Sequence, residues 1–191
     1  MAIEIAFPSD EATIRALAAG DEVLVSGTVL TGREPAHRML VRNREPLLGE
    51  WTRGAALYHC GPVVVRDPAG GWRFAAAGPS DSIREEPWTA EVLERYGIRA
   101  VIGRGGMGAD TGAALARFGA VYLHTTGALA VTLARHVTRV SSVHLLDELG
   151  LVEAIWRVEV RGFPATVTMD ANGVSLHARK GGEEEEPRRS R

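Results

Sequence analysis

The 191-residue chain has a single cysteine, Cys60. That excludes an internal disulfide. It also excludes an iron–sulfur cluster held by this chain alone, because such clusters take several thiolates. The ordinary role for one such thiol is a small buried hydrophobe, so any metal or cluster chemistry must draw its ligands from another chain. Long apolar runs are missing too, and no stretch approaches the roughly 18 residues of a membrane span. The start, Met1-Ala2-Ile3-Glu4-Ile5, lacks the basic region and apolar segment of a signal peptide, so a cytoplasmic location is expected. Excess charge is absent as well. A net charge of −2 gives no bulk electrostatic reason to expect nucleic acid or an anionic membrane as partner. What remains is a chain with 45% hydrophobic residues, long enough to bury one sizeable core.

Helix and strand signals alternate along the chain. Pro8-Ser9-Asp10-Glu11 starts a helix that should run to about Ala19 and stop at Gly20. Residues 22–30 read as a strand, 35–43 as a helix and 43–54 as a loop. Residues 55–65 and 71–77 are strand candidates joined by Asp67-Pro68-Ala69-Gly70-Gly71, a hairpin turn. A helix over 87–96 ends at Gly97, and 98–102 is a short apolar strand. Asp110 is expected to cap a helix ending at Gly119, with a strand over 120–123 and a small-residue helix over 128–135 beyond it. Strand, Gly-rich turn and helix thus repeat, which implies parallel strands whose turns gather at one sheet edge. Residues 153–160 and 166–170 alternate like strands, and Asn172-Gly173 is a hairpin signal. The expected class is mixed α/β, a parallel βαβ unit with additional hairpin strands. One domain over 1–180 is expected, with a charged, disordered tail over 181–191.

Chemistry concentrates at Gly78-Pro79-Ser80-Asp81-Ser82-Ile83-Arg84, a strand-to-helix corner of the kind where α/β proteins place ligands. Its polar residues can also simply cap a helix and order a turn, although a cation at position 84 opposes the helix dipole. Gly103-Arg104-Gly105-Gly106-Met107-Gly108 is neither a Walker motif nor a dinucleotide fingerprint. It is either an anion-binding turn before a helix or a tight turn that needs positive φ. Arg33, Arg84 and Arg104 all lie just beyond expected strand ends. If those ends share an edge, three guanidiniums converge on a pocket suited to a small dicarboxylate, with the Ser80 hydroxyl among them.

These residues carry a resemblance to a known family. The segments Ser26-Gly27-Thr28-Val29 and Thr31-Gly32-Arg33-Glu34-Pro35-Ala36-His37 carry the first part of it. Tyr58-His59-Cys60-Gly61-Pro62, the 78–84 and 103–108 stretches, Glu153-Ala154-Ile155-Trp156 and Phe163-Pro164-Ala165 carry the rest. Together they resemble the β subunit, or C-terminal β-type domain, of the iron–sulfur-dependent class I fumarases and L-tartrate dehydratases. The resemblance covers roughly residues 20–178. It implies a swivelling β/β/α domain and a hydro-lyase acting on a 2-hydroxy dicarboxylate, with fumarate/malate ahead of tartrate. It implies an α subunit that carries the [4Fe-4S] cluster, a higher heteromer, and no metal ligand in this chain. By resemblance, Ser80 takes the place of the catalytic threonine. Arg33, Arg84 and Arg104 hold carboxylates, with Asp81 and Ser82 also on the substrate side, and His37, Gly105 and Gly106 support the turns. Ser80 and Asp81 stand where the family has two threonines, Arg104 where it has lysine and Glu34 where it has aspartate. The competing expectations are a dicarboxylate-binding or regulatory module without catalysis, and a phosphate-binding protein using the 103–108 turn.

Overall fold

The computed structural model describes residues 1–43 and 48–177. The expected tail over 181–191 lies outside the described residues. Four short parallel strands form the heart of the fold: β2 (Glu22–Thr31), β3 (Ala56–Tyr58), β6 (Ala100–Gly103) and β7 (Val121–His124). β1 (Ile3–Phe7) adds in parallel outside β2. The long β9 (Ile155–Met169) runs antiparallel to both β7 and β2. Pairings therefore run β2–β3–β6–β7–β9 and back to β2. β8 (Val137–His144) pairs with the first part of β9. A separate hairpin, β4 (Val63–Arg66) and β5 (Trp72–Ala76), is inserted after β3.

Both faces of the parallel strands are covered, which is why β3 and β6 are buried at every position. Their side chains alternate between two cores. Ala56, Tyr58, Ala100, Ile102, Val121 and Leu123 join the first, with Trp156 and Phe163 of β9. Leu30, Leu57, Val101 and Tyr122 join the second. Helices α2 (Glu34–Asn43), α4 (Glu86–Tyr96) and α5 (Ala109–Phe118) cover that second face with Leu40, Leu93 and Leu115. Trp156 is fully buried and meets Trp72 and Phe74 edge-on at 5.6 and 6.1 Å. Each such aromatic pair adds about 1 kcal/mol beyond its buried area, and together they fasten the hairpin to the core.

The mixed α/β class and the parallel unit are as the sequence implied. Several details differ. α1 (Glu11–Arg15) is capped by Asp10, whose carboxylate accepts from Thr13 N at 2.8 Å, but it ends well before Ala19. The expected strand over 55–65 is broken at His59–Pro62, so that β4 leaves the sheet as a hairpin. α3 (Gly49–Thr52) lies inside the expected loop, of which residues 44–47 are outside the described set. The two expected strands over 153–170 are one strand running through Pro164. Pro164 lies opposite Leu24 of β2, and on its other side it falls between the segments that pair with β8 and β7, so on that side there is no ladder for a missing donor to break. β1, β8 and the helix Leu146–Glu153 carry no strong sequence signal. Asp110 does not cap α5: the cap position is Gly108, and the first-turn N–H groups go to Glu86 on α4 instead.

Candidate active site

Parallel strands place their C-terminal ends at one edge. Arg33 follows β2, His59 follows β3, Arg104 follows β6, and residues 125–127 follow β7. The 78–84 stretch reaches the same edge by a different route. The β4–β5 hairpin folds out and back, and its base is pinned by a bridge between Cys60 and Pro79 and by the Tyr58 hydroxyl on the Ala77 carbonyl at 2.5 Å. The returning chain then slots between the ends of β3 and β6. Ser80 N donates to His59 O at 2.7 Å, Ser82 N to Arg104 O at 2.9 Å, and Arg104 N to Ser80 O at 3.3 Å. The edge thus carries Arg33, Ser80, Arg84 and Arg104 on turns that hydrogen bonds lace together.

Each expected site residue has a definite place. The Ser80 hydroxyl, half-buried, donates to the His59 carbonyl at 2.9 Å, which leaves its lone pairs free. The Arg84 guanidinium is exposed and makes no hydrogen bond or ion pair among the described residues, although its charge acts on Asp81 and its backbone N–H donates to the Asp81 carbonyl at 3.3 Å. Arg33 Nη1 lies 2.9 Å from Glu153 Oε1. Arg104 Nε lies 2.8 Å from Asp81 Oδ1, both side chains well exposed. That guanidinium holds the Asp81 carboxyl below its ordinary range, and Asp81 in turn raises Arg104. Asp81 therefore orients an arginine. Its carboxylate would repel a substrate carboxylate. Ser82 is fully buried beneath the turn, so it stands behind the site's surface. His37 is fully buried, and its Nδ1 donates to the Arg33 carbonyl at 2.9 Å, bracing that turn. Burial pushes His37 down to about 4. Gly105 and Gly106 have φ of 84° and 79°, the left-handed region that favours glycine. A Cβ on Gly106 would also strike the His177 ring.

The phosphate alternative meets an occupied helix start. Gly108 N and Thr111 N both donate to the Glu86 carboxylate, at 2.8 and 3.0 Å. The chain supplies its own anion to α5, so that end is not open to a phosphate.

A buried polar layer lies under the edge. His59 and Glu85 are 0% and 1% exposed, and His59 Nδ1 sits 4.0 Å from Glu85 Oε2. Burial keeps His59 neutral, well below its ordinary range, with His37 adding to the effect. Burial raises Glu85 to about 7. The charge on Arg33 and the peptide N–H groups of Glu85 and Glu34 pull it down, and the Glu34 carboxylate pushes it up. Sequence reasoning missed Glu85 and Glu86, which read as helix-start acids. It also missed Tyr122, although a tyrosine in an apolar buried strand signals a hydroxyl that needs a partner.

Comparison with known proteins gives one consistent result. The family described as "Fumarase C-terminus" matches residues 1–180. A Geobacillus stearothermophilus protein named as a fumarate hydratase class I is 43% identical over 175 residues, covering 92% of this chain and 33% of that protein. The L(+)-tartrate dehydratase subunit beta of Escherichia coli K12 is 34% identical over 160 residues, covering 83% of this chain and 78% of that subunit. The chain thus spans about a third of the first relative and most of the second.

Proposed function

The chain belongs to the fumarase C-terminus family, and on that premise we propose that it is the β-type part of a hydro-lyase that reversibly dehydrates a 2-hydroxy dicarboxylate. Fumarate and malate are the first substrate pair, and tartrate is the second. The observation that supports this reading is the sheet edge, whose neighbouring turns carry Arg33, Ser80, Arg84 and Arg104. Guanidinium forks suit carboxylates at both ends of a small diacid. Among the described residues the Arg84 guanidinium keeps all its donors available. Arg33 and Arg104 each commit one nitrogen to a carboxylate of the chain and keep the rest. Ser80 takes the proton from the carbon next to the departing hydroxyl. A serine hydroxyl is a weak base, and the cations on the same edge favour its alkoxide.

A [4Fe-4S] cluster does not fit this chain's own residues. Cys60 is 1% exposed, and burial pushes its thiol up to about 12. Among the described residues no group of three or more His, Cys, Asp or Glu is placed to hold a metal. The reading therefore assigns the cluster to an α-type partner. Exposed Ile83 in the site turn and exposed Val63 and Val152 beside Gly61 and Arg33 support a partner surface there.

The pairing of Arg33 and Arg104 with the chain's own carboxylates favours one competing reading, a dicarboxylate-binding module without catalysis. Anaerobic co-expression with a three-cysteine partner separates the two. The enzyme reading expects an oxygen-sensitive dehydratase. Calorimetric binding of malate or tartrate without turnover by the cluster-loaded pair would leave only the module.

A further inference from the structure

The turns of the site come from distant parts of the chain, yet one run of buried hydrogen bonds joins them. Gly106 N–H donates to the Tyr122 hydroxyl at 3.3 Å. That hydroxyl donates to Ser82 Oγ at 2.9 Å, and Ser82 Oγ lies 2.9 Å from His59 Nδ1. A peptide N–H only donates, so the Tyr122 oxygen accepts at that link. Ser82 Oγ thus joins the Tyr122 hydroxyl to the His59 ring, whichever of Ser82 Oγ and His59 Nδ1 carries the proton they share. The carbonyl of His59 then takes both the N–H and the O–H of Ser80. The His59 ring meets His37 edge-on at 5.0 Å, and His37 holds the Arg33 carbonyl. Ser82, His59, Tyr122 and His37 are all fully buried. Gly103 belongs to the same arrangement, because a Cβ there would overlap Ser82 Oγ.

An apolar pair in place of Ser82 and Tyr122 would fill this space as well, but would leave Gly106 N–H and His59 Nδ1 buried without their partners. Steric packing alone therefore does not account for them. The hydroxyls tie the 104–106 turn to the 80–84 turn.

We propose that Ser82 and Tyr122 are positioning residues that lock the Arg104 turn to the Ser80–Arg84 turn through His59, so that base and carboxylate clamps move as one body. The functional half of this proposal rests on the dicarboxylate reading above. The coupling half does not.

Two measurements on Tyr122→Phe, Ser82→Ala and the double variant test it. Amide hydrogen exchange on the full chain reads the coupling. Tyr122→Phe should speed exchange at Ser82, Arg104 and Gly106 by about tenfold more than at Val25 and Val167, the effect of losing one buried hydrogen bond. A uniform change at all five amides would mean simple destabilisation and would overturn the proposal. Steady-state kinetics of the cluster-loaded pair reads the function. Each single variant should lower kcat about tenfold, and the double variant should be no worse than the poorer single, since both break the same chain. Additive losses, or a kcat like that of the unaltered pair, would also overturn it. If the unaltered pair turns over no dicarboxylate, the proposed function fails, and the exchange pattern still decides the coupling. Ser82→Ala keeps both tests available should Tyr122→Phe fail to fold.

Discussion

The sheet edge has two polar layers built on opposite principles. The outer one is charged and reaches water: Arg104 with Asp81 is exposed, Arg33 with Glu153 is half-buried, and the Arg84 guanidinium has no ion pair among the described residues. The inner one is neutral and dry: His37, His59, Ser82, Glu85 and Tyr122. Outer charges cost little to hold, because water screens them and each pair contributes little. Inner groups cost much if left unpaired. The Ser82 and Tyr122 hydroxyls and the Nδ1 atoms of His37 and His59 each have a hydrogen-bond partner, whereas His37 Nε2, His59 Nε2 and Glu85 Oε2 have none among the described residues. The outer layer is equipped to bind and react. The inner layer is equipped to keep the outer one in register.

That contrast can be broken from either side. The largest effect belongs to the outer layer. Ser80→Ala should cut kcat of the cluster-loaded pair by about 10²–10⁴, the usual range for a proton-transferring side chain, with dicarboxylate binding retained. A variant with full kcat would remove Ser80 from the chemistry. Next comes the inner layer. Gly103→Ala forces a methyl group onto Ser82 Oγ and should destabilise the fold by about 1–3 kcal/mol through overpacking, read by urea unfolding.

Glu85 gives a smaller, pH-dependent effect. Its folded value is about 7 against an ordinary 4.5, so the folded chain holds the extra proton between those values. Stability contributed by Glu85 is thus full below about 4.5 and is lost as pH rises through about 7. His37 acts in the opposite sense, since its value drops from 6.5 to about 4, and His59 shifts the same way. Glu85→Gln should therefore make stability climb more steeply with pH between 4.5 and 6.5, by about 1.4 kcal/mol per pH unit at most. It should also abolish the decline towards pH 7. Parallel pH curves for the two proteins would count against a buried, titrating Glu85. The smallest effect is Asp81→Asn. The pair is exposed, so the melting temperature should stay where it is, while the KM for the dicarboxylate shifts as Arg104 loses its orienting partner. An unchanged KM would reduce Asp81 to a surface residue.

The outer layer was legible in the sequence because its residues sit in Gly-rich turns just after strand signals. Arg33, Ser80, Arg84 and Arg104 each stand out in a short window, and the parallel topology brings their turns to one edge. The inner layer was not legible, because its members look ordinary locally. Ser82 reads as a turn residue, Glu85 as a helix-start acid and Tyr122 as one aromatic in an apolar strand. Only strand order places Tyr122 of β7 against Ser82, 40 positions away. β1 and β8 were missed for a similar reason, since both lie at the outer limits of the sheet order, where the burial pattern is incomplete.

Local rules of hydrophobic period, glycine conformation and turn chemistry therefore determined the class of fold, the turns and the charged groups those turns expose. Tertiary structure decided which of the polar residues face water and which face each other. The physical reason is range: a turn is set by neighbours a few residues apart. Whether a hydroxyl ends at the surface or on a buried imidazole depends on desolvation, which only the packed sheet imposes.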